Sequence, residues 1–227
     1  MLRRRPNSVA DEELQSGIEY LLQEKRVVHL LGTFNSSRLD AFSTEGVSHI
    51  ICALDAMQVA PITIVIDSPG GELIQGFSLI DTMNLIRSPL NVVVKGAYSM
   101  AAFVAASGTK GCRYIYPHGR MMLHHPWAQM SGFAQDLAIQ QKEVQNMKDS
   151  LVRVLLNIGV DKTRKQILKD MDRDFYLIGQ DAVNYGLVDA VITPEVYGKL
   201  VPTGVAVGPD YLGYETHQYP CPHCGKV

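Results

Sequence analysis

Two apolar strands, each followed by a turn of small residues and then a helix, limit what this chain can fold into. Residues 62–66 are the β-branched run ITIVI, and residues 67–71 form the turn DSPGG. Residues 92–94 are VVV, and a turn at 95–98 precedes a small-residue helix predicted at 99–106. Nearly continuous apolar strands that alternate with helices are typical of a parallel sheet covered on both faces. The chain is therefore predicted to be an α/β protein.

The other apolar patterns extend this interpretation along the chain. They predict strands at 27–31, 114–116, 121–123 and 187–192, and helices at about 37–57, 72–86 and 132–158, with a short helix ended by Gly186. The helix at about 132–158 would be ~40 Å long, more than a domain of this size covers, so we expect it to project and pack against another subunit. A position across the chain's own sheet is the alternative. Cys52 lies in an apolar helical pattern and is expected to be buried.

Composition excludes several classes of protein. The chain has 227 residues, enough for one well-buried domain, and 46% of them are hydrophobic. The net charge of −2, without a basic stripe, argues against a nucleic-acid partner. No apolar run reaches the ~18–20 residues that span a bilayer, so no membrane segment is expected. Acidic residues at 11–13 stand where a secretory apolar segment would lie, and we expect a cytoplasmic protein.

Residues suited to nucleophilic catalysis follow several of the predicted strands. The Gly70-Gly71 turn presents backbone N–H groups without side chains, which suits a developing oxyanion. Ser99 starts a helix, where a serine can be a nucleophile or an ordinary N-cap. His124 ends a strand and can be a general base or a polar residue with satisfied hydrogen bonds. Asp174 ends an acidic run, which can orient a histidine or form a solvated surface.

Five motifs stand in a fixed order along the chain. They are DSPGG at 67–71, GAYSMA at 96–101, MLHHP at 122–126, DRD at 172–174 and AVNYGLVD at 182–189. This set resembles the proteolytic subunit of the ATP-dependent Clp protease, over about residues 17–195. The resemblance implies a crotonase/ClpP-like α/β fold of repeated β-β-α units, with the helix at about 132–158 as the projecting handle helix.

The same resemblance implies a serine-type endopeptidase. Ser99 would be the nucleophile, His124 the base and Asp174 the residue that orients it. Gly71 and Met100 would supply the amides of the oxyanion hole. The order serine, histidine, aspartate differs from the orders in chymotrypsin-like, subtilisin-like and α/β-hydrolase enzymes. Peptide hydrolysis of this kind is expected to need no cofactor.

The resemblance also implies partners. Copies of the chain would form stacked rings, a homo-oligomeric tetradecamer, in which Asp172 and Arg173 make the contact between rings. A ring-shaped AAA+ ATPase would deliver unfolded polypeptides. The main alternative is a catalytically silent structural subunit of the same assembly. An acyl-CoA-processing enzyme of the crotonase fold and a peptidase with a serine–lysine dyad through Lys95 are further alternatives.

Three segments are expected along the chain. Residues 1–16 form a divergent N-terminal segment, residues 17–200 the peptidase domain, and residues 201–227 a tail that contains a Cys-x-x-Cys motif. Cys221, His223 and Cys224 could hold zinc, with further ligands from another subunit, or the tail could be disordered with incidental cysteines. Tyr98, beside the serine, stands where the family usually has a small residue. It could narrow the substrate site or pack outward.

Overall fold

The computed structural model describes residues 22, 24–37 and 40–201 of the chain. The strands within them are β1 (Val27–Leu31), β2 (Ile62–Ser68), β3 (Leu90–Tyr98), β4 (Arg113–Leu123), β5 (Phe175–Ile178) and β6 (Ala190–Val191). The helices with described bounds are α1 (Thr44–Met57), α2 (Leu73–Leu85), α3 (Met100–Ala106), α4 (Ala134–Asn157), α5 (Arg164–Asp170), α6 (Gln180–Tyr185) and α7 (Pro194–Leu200). The predicted N-terminal segment and almost all of the tail lie outside the described residues, so the division into segments stays a prediction.

The described strands form one sheet. Its order is β1-β2-β3-β4-β5, with β6 beside β4. Strands β1 to β4 run parallel, and β5 pairs antiparallel with the end of β4. Helices follow β1, β2 and β3, as the alternation of patterns predicts. The α/β fold class is confirmed.

Apolar layers cover both faces of this sheet. Side chains of successive residues in a strand point to opposite faces. Ile64 and Val92 pack in the larger layer together with side chains from α1, α2 and α3. Val65 and Val93 pack on the other face with Ile192 and with residues of α7. The β-branched runs are therefore buried on both sides, which is why they read as continuous rather than alternating patterns.

Strand β4 differs from the prediction, which places two separate short strands at 114–116 and 121–123. The structure has one strand of 11 residues. Its register against β3 shifts between Val94, which pairs with Ile115, and Gly96, which pairs with Arg120. The residues between these pairs form a bulge, where Pro117 costs no ladder hydrogen bond. This bulge is set by the pairing with β3. The sequence around Pro117 alone, without that pairing, resembles a turn.

Helix α4 confirms the prediction of a long helix near 132–158. It has 24 residues, a length of ~36 Å. Its buried residues, Leu151, Val152 and Leu155, all lie in the last third. Phe133, just before the helix, and Ile139 are exposed. The first two-thirds of α4 therefore project from the body of the subunit.

Helix α1 begins later than predicted and exposes a cysteine that was expected to be buried. The hydroxyl of Ser43 accepts a hydrogen bond from the N–H of Gly46 at 3.1 Å, which sets the helix start at Thr44. Ile51 faces the sheet and is fully buried. Cys52 is turned by about 100° from Ile51 around the helix axis, and it is exposed. The expectation of a buried Cys52 is therefore wrong.

Candidate active site

The residues suited to catalysis meet at one edge of the sheet. Gly71 follows β2, Ser99 follows β3 and His124 follows β4, so all three lie at the carboxyl ends of parallel strands. Strand β5 pairs antiparallel with the last residues of β4, and this pairing sets Asp174, just before β5, beside His124. Loops and helix starts converge at such an edge in α/β proteins.

Ser99 occupies a strained turn between β3 and α3. Its φ is 54° and its ψ is −131°, a region that residues other than glycine rarely adopt. Such a conformation costs about 1–3 kcal/mol and persists only when the surroundings fix it. One such contact is the N–H of Ser99, which donates to the carbonyl of Met122 at 2.8 Å. The Ser99 side chain makes no capping hydrogen bond to its helix, so it is not an ordinary N-cap.

His124 lies between Ser99 and Asp174. Its Nε2 is 2.7 Å from the Oγ of Ser99, a short hydrogen bond. Its Nδ1 is 3.6 Å from the Oδ1 of Asp174, which is an ion-pair distance rather than a hydrogen bond. The His124 side chain is 30% exposed and that of Asp174 is 55% exposed. A carboxylate on the Nδ1 side favours the tautomer whose Nε2 can accept the serine proton.

The adjacent His125 has different surroundings. Its Nδ1 is buried and has no hydrogen-bond partner among the described residues. Its backbone N–H donates to the carbonyl of Met171 at 2.9 Å. Burial, assisted by the positive charge of Lys148, lowers the pKa of His125. Of the two histidines, His124 is the one that contacts Ser99.

The Gly70-Gly71 turn requires glycine at both positions. Gly70 has a φ of 84°, and a Cβ there would lie 2.4 Å from the carbonyl oxygen of Tyr98. Gly71 has a φ of 141°, and a Cβ there would lie 2.3 Å from the carbonyl oxygen of Phe34. Real Cβ atoms do not approach backbone this closely. The turn is thus packed between the Tyr98–Ser99 backbone and the loop that follows β1.

Two backbone N–H groups belong to residues that line the space next to Ser99. The carbonyl of Gly70 accepts a hydrogen bond from the N–H of Phe34 at 2.7 Å. Carbonyl and N–H point in opposite directions across a trans peptide, so the N–H of Gly71 points away from Phe34. The N–H of Met100 is the first of α3 and has no carbonyl one turn earlier in the helix. Both groups can donate to an oxyanion that forms on a substrate bound to Ser99.

A cavity of about 260 Å³ opens over these groups. It is lined by Gly71, Leu73, Ser99, Met100, Phe103, His124, His125, Pro126, Trp127 and Leu151. Its floor is apolar, with Phe103 and Leu151 buried or nearly so, whereas Trp127 is 82% exposed at the rim. Sequence reasoning missed Leu73, Phe103 and Leu151. Phe103 lies one turn after Ser99 on α3 and could have been found, but Leu151 comes from α4 and could not.

Tyr98 lies outside the residues that line this cavity. Its ring packs edge-on against that of Tyr176, with 6.5 Å between the ring centres. The hydroxyl of Tyr176 is 3.5 Å from the Oδ2 of Asp174. Of the two possibilities for Tyr98, the structure therefore has the ring packed outward, against a residue that neighbours the acid.

Asp172 and Arg173 lie on the exposed loop just before Asp174. Arg173 donates to the backbone carbonyl of Asp172 at 2.8 Å, and its side chain is 90% exposed. Their contact with another ring stays a prediction. No group of three or more His, Cys, Asp or Glu side chains within residues 22–201, as far as they are described, could hold a metal ion. Cys221, His223 and Cys224 lie outside the described residues.

Ser99 contacts His124, and His124 lies at ion-pair distance from Asp174, at the carboxyl ends of the strands of an α/β sheet. The sequence model of the Clp protease family, described as Clp protease, matches residues 11–195. The chain belongs to the Clp protease family. Within the described residues, no helix is long and apolar enough to cross a membrane.

Three similar proteins are proteolytic subunits of ATP-dependent Clp proteases. The chain is 32% identical to ATP-dependent Clp protease proteolytic subunit 1 of Borreliella burgdorferi, over 77% of this chain and 88% of that protein. It is 32% identical to the ATP-dependent Clp protease proteolytic subunit of Borrelia garinii subsp. bavariensis, with the same shares covered. The corresponding subunit of Borreliella afzelii is 32% identical over 77% of this chain and 86% of that protein.

Proposed function

We propose that the chain is the serine endopeptidase subunit of an ATP-dependent, self-compartmentalised protease that hydrolyses unfolded polypeptides to short peptides. The observation that carries the proposal is the 2.7 Å contact between the Oγ of Ser99 and the Nε2 of His124. The serine makes this contact from a strained backbone conformation, and its side chain makes no capping hydrogen bond to its own helix. Membership of the Clp protease family supports the same activity.

In the first step, His124 takes the proton of Ser99 as the serine oxygen bonds to a peptide carbonyl carbon. Asp174 orients the imidazole and stabilises its positive charge. The C–N bond then breaks, and His124 returns the proton to the leaving amine. Water, activated by the same histidine, attacks the acyl-enzyme and frees Ser99, so that each cycle consumes one water molecule.

Gly71 and Met100 are proposed to hold the oxyanion of both tetrahedral intermediates. Both residues line the cavity that contains Ser99. One such donor is typically worth ~10²–10³ in turnover because it acts on charge that develops only in the transition state. The apolar floor of the cavity, with Phe103 and Leu151, would take an apolar substrate side chain beside the cleaved bond.

Assembly into stacked rings, as a tetradecamer of identical chains, is the second part of the proposal. The projecting two-thirds of α4, with the exposed Phe133 and Ile139, supports a contact outside the subunit. Asp172 and Arg173 are proposed to make the ring-ring contact, since both are exposed and carry opposite charges. An AAA+ ATPase in the cytoplasm would unfold substrates and feed them to the chamber. This fits relatives named as proteolytic subunits of an ATP-dependent protease.

The tail motif is a separate proposal. Cys221, His223 and Cys224 would bind zinc together with ligands from another subunit, since structural zinc takes four ligands. Metal content and assembly size are measured before and after treatment with a zinc chelator. Zinc that copurifies and a size that changes on its removal support the site. Equal metal content in Cys221→Ser and wild-type protein excludes it.

A catalytically silent structural subunit of the same assembly is the second candidate. One observation favours it: the exposed Asp174 is 3.6 Å from His124 and makes no hydrogen bond with it. Digestion of an unfolded protein by the assembled chain separates the two candidates. Short peptides released by wild type but not by Ser99→Ala support the peptidase. An assembled wild type that releases no peptides supports the silent subunit.

A further inference from the structure

The loop after β1 binds the outer side of the Gly70-Gly71 turn. Phe34 pairs with Gly71 as an isolated parallel β-bridge. The N–H of Phe34 donates to the carbonyl of Gly70 at 2.7 Å, and the carbonyl of Phe34 accepts from the N–H of Glu72 at 3.0 Å. The hydroxyl of Ser68 donates to the carbonyl of Gly32 at 2.6 Å. The direction of the Gly71 N–H therefore depends on where this loop lies.

A side-chain contact closes the same loop onto the turn. The Oε2 of Glu72 accepts from the backbone N–H of Ser36 at 3.2 Å, and its Oε1 accepts from the Ser36 hydroxyl, also at 3.2 Å. Glu72 stands at the N-cap position of α2, yet it makes no side-chain capping bond to that helix. Its carboxylate accepts hydrogen bonds from a residue 36 positions away rather than from its own helix.

We infer that Glu72 and Ser36 are positioning residues for the oxyanion donor Gly71. They hold Phe34 against Gly70, and the trans peptide between Gly70 and Gly71 converts that contact into a fixed direction for the Gly71 N–H. Oxyanion donors must be aligned before the reaction, because reorganising them during it forfeits their stabilisation. Neither residue lines the cavity, so their effect would reach the reaction through the backbone. The inference rests on the proposed peptidase function.

Four variants test this contact in the assembled, full-length protein. Glu72→Ala removes both bonds, and kcat for a peptide substrate should fall about tenfold with KM unchanged, because the lost alignment matters only in the transition state. Ser36→Ala keeps the backbone bond and should lose about twofold. Glu72→Gln can still accept from the Ser36 N–H and donate to its hydroxyl, so it should retain most activity. Asp81→Ala, on the exposed side of α2, is the matched control and should behave as wild type.

A transition-state analogue separates alignment from general stability. A peptide boronate that bonds to Ser99 should bind Glu72→Ala about tenfold more weakly, while a product peptide should bind equally to both proteins. Equal kcat and equal boronate affinity for Glu72→Ala and wild type would overturn the inference. A tenfold rise in KM, or a Glu72→Gln variant as impaired as Glu72→Ala, would overturn it as well.

Hydrogen exchange keeps this test independent of the proposed function. If wild type neither cleaves peptides nor binds the boronate, the peptidase proposal fails, but the contact can still be measured. Amides of residues 68, 70 and 72 should then exchange faster in Glu72→Ala than in wild type or Asp81→Ala. Unchanged exchange rates in these residues would show that Glu72 and Ser36 do not hold the turn.

Discussion

The two ends of the Ser99–His124–Asp174 set are built differently. Ser99 and His124 follow central strands of the sheet and are joined by a 2.7 Å hydrogen bond. Asp174 lies on an exposed loop before the edge strand β5, 3.6 Å from His124. The fold of one subunit therefore fixes the serine and the histidine. The position of the acid depends on an exposed surface loop.

The largest effect is expected from removing the side chain of Ser99 or His124. Ser99→Ala and His124→Ala should each lower kcat by ~10⁶, and the double variant should be no worse, because the two groups act as one unit. Peptide turnover is the measurement. Ser107→Ala is the control: that hydroxyl donates to the carbonyl of Phe103 at 2.8 Å, at the other end of α3, and turnover should be unchanged. A His124→Ala variant that keeps a hundredth of wild-type kcat would contradict this account.

A smaller loss of turnover is expected from changing Asp174. Asp174→Asn should lower kcat by ~10⁴, because an amide at this position favours the wrong histidine tautomer while serine and histidine stay in contact. Asp181→Asn, exposed at the start of α6, should leave turnover unchanged. If Asp174→Asn lowers kcat as much as His124→Ala does, the fold holds Asp174 as firmly as Ser99 and His124. The proposed difference between Asp174 and the other two residues is then wrong.

The Gly70-Gly71 turn is held as firmly as Ser99 and His124, so adding a single methyl group there should lower turnover. Gly71→Ala brings a Cβ to 2.3 Å from the carbonyl oxygen of Phe34, so the turn must shift. We expect a loss of ~10²–10³ in kcat, the value of one oxyanion donor. Gly198→Ala, where a Cβ meets nothing within 4 Å, controls for the substitution, and melting temperatures establish that both variants fold. Wild-type kcat in Gly71→Ala would exclude its N–H as a donor.

The smallest effect is on stability, and it concerns His125. Burial lowers the pKa of His125 below its ordinary value of 6.5. The unfolded chain therefore binds a proton that the folded chain does not, and stability falls as pH drops below about 6.5. Between about pH 7.5 and about pH 5.5, wild type should lose more melting temperature than His125→Gln. His118→Gln, an exposed histidine of β4, should follow wild type; an equal loss in His125→Gln would show that His125 does not carry the dependence.

Much of the sheet can be predicted from local patterns. The runs at 62–66 and 92–94 are buried on both faces, and burial of that kind leaves a continuous apolar signal. The turns after them contain the glycines and the serine of the candidate site, so their place at the sheet edge follows from topology. The continuity of β4 could not be predicted, because its bulge is set by the register against β3.

Contacts between distant parts of the chain could not be predicted from the sequence. Leu151 reaches the cavity from α4, some fifty residues after Ser99. Ser36 reaches Glu72 across 36 residues, and neither side chain belongs to a recognisable pattern. The exposure of Cys52 depends on which way α1 turns toward the sheet. Each of these follows from packing that only the folded chain defines.

Covalent labelling measures whether the fold of the subunit activates Ser99 through His124. Assembled wild type is treated with a fluorophosphonate, and the modified residue is located by mass spectrometry of peptides. We expect one adduct per subunit on Ser99, none on Ser107, and almost no adduct in His124→Ala. A wild type that stays unlabelled, an adduct on another serine, or equal labelling of His124→Ala would show that His124 does not activate Ser99.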